Sequence, residues 1–159
     1  MSQPGGDDFL IDLFREEVRT HSQVLADGLV AVEQGAAPER LAAMMRAAHS
    51  IKGAARVVNV QPAVELAHAM EDCFVQAQKG ELTLTSGIVD VLLAGVDMLQ
   101  QVAGAAGAGL AAWLEGRRGE LAGLVQRIGG LMRGEESETS PSPPAPIPRA
   151  TAASAAEAP

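Results

Sequence analysis

The chain has 159 residues, room for one domain of ordinary size and a tail. A formal charge of −8 argues against nucleic acid or an anionic membrane as partner, because both demand a basic face. Tyrosine is absent and there are only three Phe and one Trp, while Ala, Leu, Glu, Gln and Arg abound; this composition points to an all-α protein, with 17 glycines leaving much of the helix stability to packing.

The chain opens with a polar, Gly-containing segment that lacks the basic start and apolar run of a signal peptide. A first helix is predicted from about Asp8 to Gln34, capped by Asp7 or Asp8, with Leu10, Leu13, Phe14, Val24, Leu25 and Val32 near helical spacing. Gly35 can end it, and Pro38 suits the first turn of a second helix reaching to about Val58. The core stripe of that second helix is Leu41, Met44, Ala48, Ile51, Ala55 and Val58, with Asn59 as a left-handed stop. A third helix runs from Pro62 to about Lys79, its inner face Val64, Ala67, Met70, Phe74 and Ala77, with Gly80 as terminator. The lone Cys73 falls here and reads as a small core residue; it has no disulfide partner in the chain.

Thr85 is a good N-cap for a fourth helix with Ile88, Val91, Leu92, Gly95, Met98, Leu99 and Val102 inward. The Gly/Ala stretch from Ala103 to Gly109 breaks it. A fifth helix from about Leu110 to Met132 repeats Leu110, Leu114, Arg117, Leu121, Leu124, Ile128 and Leu131 at heptad spacing, interrupted by Arg117. The expected fold is an antiparallel four-helix bundle with an additional C-terminal helix, over residues 1–133. Residues 134–159 hold six of the nine prolines and read as a disordered linker, as if the chain were one piece of a longer protein. No stretch of about 18 apolar residues is read as a membrane span, and the expected location is the cytoplasm.

The chemistry gathers on the second helix. His49 follows core residue Ala48, so it lies about 100° round the helix, at the edge of the buried face. Lys52 and Gly53 come three and four residues later on the same patch; Met45 and Arg46 lie one turn before, and Arg56 lies beyond. Glycine inside a helix costs roughly 1 kcal/mol against alanine, and access to the imidazole is one reason to tolerate it. On the third helix His68 and Glu71 share a face. If the two helices pack antiparallel, Glu71 can reach His49, accept a hydrogen bond from one ring nitrogen, and leave the other with an exposed lone pair. Lys52 is expected to act as a mobile point charge toward an incoming phosphoryl group. His21, Met44, Met45 and Trp113 read as packing or surface residues.

The stretch Arg46-Ala-Ala-His-Ser-Ile-Lys-Gly-Ala-Ala-Arg56 resembles the phosphorylation-site helix of histidine phosphotransfer (HPt) domains, in particular the amino-terminal domain of CheA-type chemotaxis kinases. His68-x-x-Glu71 is similar to the supporting residues of that family, and the likeness spans roughly residues 8 to 132. It implies that His49 accepts a phosphoryl group on Nε2 from the ATP-binding kinase domain of the same protein and passes it to an aspartate on a response regulator receiver domain. In that reading Lys52, His68 and Glu71 form the supporting network, and Gly53, Met45, Arg46 and Arg56 the access and docking surface. The domain itself is no enzyme and holds no cofactor, ATP and Mg²⁺ being used by the partner kinase domain, and as an isolated piece it is expected to be monomeric. Ala54 stands where many chemotaxis kinases have a second glycine, and Ala55-Arg56-Val57-Val58 resembles the Wsp-type branch, which controls a diguanylate cyclase. Two other readings compete: a metal-binding bundle using His49, His68 and Glu71, and a purely structural interaction module. The single His68-x-x-Glu71 motif and the repelling Lys52 count against the metal.

Overall fold

A computed structural model describes residues 4–134; the linker reading for the residues after Gly134 lies outside the described residues. Five helices follow in order: α1 (Pro4–Val32), α2 (Pro38–Val57), α3 (Gln61–Gln78), α4 (Ser86–Ala105) and α5 (Leu110–Met132), with no strand among the described residues. The expected stops and starts are there for the expected reasons. Asn59 takes a left-handed φ of 59°, Gly80 one of 74°, and the Thr85 hydroxyl accepts a hydrogen bond from the Ile88 amide at 3.4 Å. Pro38 and Pro62 occupy first turns, where no intrahelical N–H is required.

Helices α1 to α4 close a ring of contacts, α1 on α2, α2 on α3, α3 on α4 and α4 back on α1, while α5 lies against α3 and α4. This is the four-helix bundle with an appended helix. The inward residues of α4 are all buried, as are Leu121, Leu124, Ile128 and Leu131 of α5. The first half of α5 sits less deeply: Leu110 and Leu114 are half-buried, and the Arg117 guanidinium stacks 5.3 Å from the Trp113 ring centroid. Heptad position 117 is thus filled by an arginine stem and its cation–π contact rather than by a core side chain. Among the described residues α4 is the one helix long and apolar enough to cross a membrane by length and composition alone. Its inner face, however, is the heart of the bundle, and Asp90 and Asp97 stand on its exposed side.

Two expectations for α1 need correction. The helix begins at Pro4, so Asp7 and Asp8 lie inside it and cap nothing; Asp7 instead adds a favourable charge to the first turn. The core stripe is Phe14, Val18, Leu25, Leu29 and Val32, whereas Leu13 and Val24 are exposed. Leu13-Phe14 and Val24-Leu25 are adjacent apolar pairs, and only one member of each can face the core; Val18 and Leu29 decide which. Ser22 also falls inside, its buried hydroxyl without a hydrogen-bond partner among the described residues. At the far end, Arg15 donates from Nε to the Ala103 carbonyl at 3.3 Å, which also accepts from the Ala106 amide, and from Nη2 to the Ala106 carbonyl, tying α1 to the C-terminal end of α4.

Candidate functional site

The site is a product of how α2 meets α3. Only Val58, Asn59 and Val60 separate the two helices, and the Val60 amide donates to the Ala55 carbonyl at 2.9 Å, so the chain reverses at once. Buried alanines stand beside the contacting residues: Ala48 and Ala55 near Lys52 on α2, Ala63 and Ala67 near Glu71 on α3. Small side chains let helix axes approach, and this is the most extensive helix–helix contact of the bundle. Met44, Ile51, Leu66, Met70 and Phe74, each essentially without exposure, hold the pair against the other helices.

Across that seam Glu71 reaches two residues of α2 that lie one turn apart. His49 Nδ1–H donates to Glu71 Oε1 at 2.7 Å, and the Lys52 ammonium donates to Glu71 Oε2 at 2.5 Å. One carboxylate is thereby shared between an imidazole and a cation. A carboxylate can only accept, so the contact assigns the proton of a neutral ring to Nδ1 and leaves the lone pair on Nε2. The side chains of Lys52 and Glu71 are 10% and 15% exposed, that of His49 66%. The support is nearly dry and the imidazole is open to solvent. Burial pushes the Glu71 carboxyl up, but the hydrogen bonds from Lys52 and His49 and their charges outweigh it and hold the group below the usual glutamate range.

The sequence-derived site residues separate into those the fold brings together and those it does not. His49, Lys52 and Glu71 form one hydrogen-bonded unit. Lys52 differs from expectation: it is buried and bound, not a mobile surface charge. Its flanking positions on the stripe, Ala48 four residues before and Ala55 three after, are both core, and that spacing is the signal for its burial. His68 stands outside the unit. It is exposed, and among the described residues it pairs with Asp72, one turn along the same helix at 3.6 Å. Met45 is half-buried against the core. Arg46 and Arg56 are exposed and have no hydrogen-bond or ion-pair partner among the described residues. Gly53 is exposed, and a Cβ built there would meet nothing within 4 Å. No contact inside the domain requires glycine at that position, so the space above it is open to something from outside. Val57, exposed in the last turn of α2, is a further apolar group on this helix that periodicity did not single out.

No group of three or more His, Cys, Asp or Glu side chains converges to hold a metal among the described residues. Cys73 is buried, and desolvation with the Asp72 charge pushes its thiol up to about 12, so it stays protonated.

Comparison with known proteins bears on the family and the fold. The Hpt domain family matches residues 10–105, which is α1 from its first turns through the end of α4. The chain is 35% identical over 97 residues to the sensor histidine kinase CheAY of Helicobacter pylori, covering 59% of this chain and 11% of that protein. It is 32% identical over 84 residues to the chemotaxis protein CheA of Listeria monocytogenes, covering 52% of this chain and 14% of that one. It therefore corresponds to a small fraction of the length of those relatives. Among solved structures, the phosphorylated P1 domain of CheA3 in complex with CheY6 from R. sphaeroides superposes with a TM-score of 0.63 at 21% identity, over 78% of this chain and 98% of the other. At that identity the likeness is one of fold. With a family match over more than half its length and the five-helix architecture in place, the chain belongs to the Hpt domain family.

Proposed function

We propose that the chain is the phosphoacceptor module of a CheA-type sensor kinase and that His49 carries the phosphoryl group. The observation that carries this reading is the Glu71 carboxylate, which holds the His49 ring by Nδ1 at 2.7 Å while the ring itself stays open to solvent. In the first step the Nε2 lone pair attacks the terminal phosphorus of ATP held by a separate kinase domain. A nitrogen–phosphorus bond forms, the bond to the ADP oxygen breaks, and ADP leaves. The ring keeps its Nδ1 proton and becomes cationic, a charge Glu71 directly offsets. In the second step an aspartate oxygen of a receiver domain attacks the phosphorus, and the electron pair returns to Nε2. Nucleotide and Mg²⁺ belong to the kinase domain in this scheme, and the module is a substrate and relay working in the cytoplasm. Gly53, Met45, Arg46 and Arg56 lie on the α2 surface that both partners would approach.

The relatives are named as chemotaxis kinases, which supports that class of parent protein. The narrower Wsp-type branch rests on Ala55-Arg56-Val57-Val58 alone. The test is incubation of the chain with a CheA-type kinase domain and labelled ATP, followed by addition of a receiver domain. The expected result is acid-labile, base-stable label that is absent in His49→Gln and is chased onto the receiver. Label retained by His49→Gln sinks the assignment of His49.

A further inference from the structure

The fold places the two cations nearest His49 on opposite sides of it. Lys52, three residues on, lies about 60° round α2 in one direction; Arg46, three residues before, lies about 60° round in the other. The Lys52 side is the α3 side, because Lys52 and His49 Nδ1 both meet Glu71 there. A ring tethered at Nδ1 toward α3 turns its opposite nitrogen, Nε2, away from α3 and so toward the Arg46 side. The direction along the helix favours the same residue. Side chains on an α-helix lean toward its N-terminus, so the His49 ring covers the turn that contains Arg46 and not the one that contains Gly53.

The charge inventory points the same way. A phosphoryl group brings roughly −1.5 to −2 charges to Nε2. Lys52 is buried with its ammonium engaged by Glu71, so meeting the phosphoryl oxygens would break that contact. Arg56 is seven residues on, about 10 Å along the axis and in the direction opposite to the lean of the ring. Arg46 is about 4.5 Å along the axis, exposed, and has no hydrogen-bond or ion-pair partner among the described residues. The remaining arginine of α2, Arg40, is occupied by the Gly35 carbonyl at 3.1 Å.

We infer that Arg46 is the residue that contacts the phosphoryl group on His49, its guanidinium taking two phosphoryl oxygens, while Lys52 acts behind the ring as a positioning residue for Glu71. This rests on the phosphotransfer reading above and divides its chemistry between the two faces of the imidazole. A planar guanidinium suits this task because its paired N–H groups match two oxygens of one phosphoryl group.

A small donor separates contact with the phosphoryl group from docking of a protein partner. Phosphoramidate transfers its phosphoryl group to imidazole with loss of ammonia and presents no protein surface. The full chain is treated with phosphoramidate, and in parallel with the kinase domain and ATP, as wild type, His49→Gln, Arg46→Gln, Arg46→Lys and Arg127→Gln. The last removes the same charge from the exposed face of α5, which does not touch α2. Arg46→Gln is expected to slow loading about tenfold or more with both donors, the scale of one charge-assisted hydrogen bond, with partial recovery in Arg46→Lys and no change in Arg127→Gln. Wild-type rates for Arg46→Gln with phosphoramidate overturn the inference, including the case where only the kinase-domain reaction slows, which would make Arg46 a docking residue. Equal losses in Arg46→Gln and Arg127→Gln overturn it as well, since they reduce the effect to net charge. Absence of label on the wild type, or its persistence in His49→Gln, instead defeats the phosphotransfer reading itself.

Discussion

Two histidines of this domain each stand beside a carboxylate, and their surroundings differ in every respect that matters for chemistry. The partner of His49 comes from another helix, lies 2.7 Å away and is largely shielded from water. The partner of His68 comes from the same helix, lies 3.6 Å away and is as exposed as the histidine itself. A charge pair one turn apart on a wet helix face contributes only a few tenths of a kcal/mol and leaves the ring free to rotate. A carboxylate fixed across a helix seam, and itself held by a buried lysine, orients the ring. The contrast shows that a histidine next to an acid is not a site. What distinguishes His49 is that its acid is held in place by something other than the histidine.

The contrast breaks most visibly at Glu71. Glu71→Ala removes the carboxylate that holds the His49 ring and is expected to slow phosphoryl loading about tenfold to a hundredfold, the range of one charge-assisted hydrogen bond, while circular dichroism stays helical. An unchanged rate removes Glu71 from the mechanism. Lys52→Ala is expected to act on both folding and rate. It leaves one oxygen of a shielded carboxylate unpaired, at a cost of about 1–3 kcal/mol in urea unfolding, and loosens the acid that orients His49. A loading defect with no loss of stability would mean that Lys52 acts on the phosphoryl group directly, as its sequence position first suggests.

Acid sharpens the comparison. The carboxyl of Glu71 is held below its ordinary value of 4.5, so folding is favoured by its ionised form. That contribution is complete above about pH 4.5 and is lost as the pH falls through the lowered folded value, because the unfolded chain then binds the proton more readily. Urea midpoints measured from pH 7 down to pH 3 should therefore drop more for the wild type than for Glu71→Gln; parallel profiles would show that the pair adds nothing to stability. The smallest effect belongs to the other histidine. His68→Gln is expected to change stability by less than about 0.5 kcal/mol and the loading rate by less than about twofold, since it removes an exposed pair within one helix. A loss as large as that of Glu71→Ala would return His68 to the network in which its spacing from Glu71 first placed it.

Most of the helix ends were legible because their causes are local. Asn59, Gly80, Thr85 and the prolines of the first turns each act through their own backbone. The start and the inner stripe of α1 were not, since Pro4-Gly5-Gly6 carries no strong signal and the pairs Leu13-Phe14 and Val24-Leu25 satisfy the helical period either way. The candidate site was legible in part. His49 at the stripe edge, the cation three residues on, and a carboxylate one helix later can all be read without coordinates.

The sequence by itself determined the angular position of each side chain about its own helix, since that follows from a period of about 3.6 residues and nothing else. It therefore placed His49, Lys52 and Arg46 in their order round α2, and His68 beside Glu71 on α3. Only the tertiary structure decided which of these angles meets a neighbour and how much water is left there. The approach of α2 to α3 depends on alanines on both helices and on a turn between them, and their relative rotation decides that Glu71, not His68, spans the gap. The same rotation buries Lys52 and leaves Arg46 free on the far side of the imidazole. Interhelical distance and rotation are sums over contacts distant in sequence, and no local period contains them.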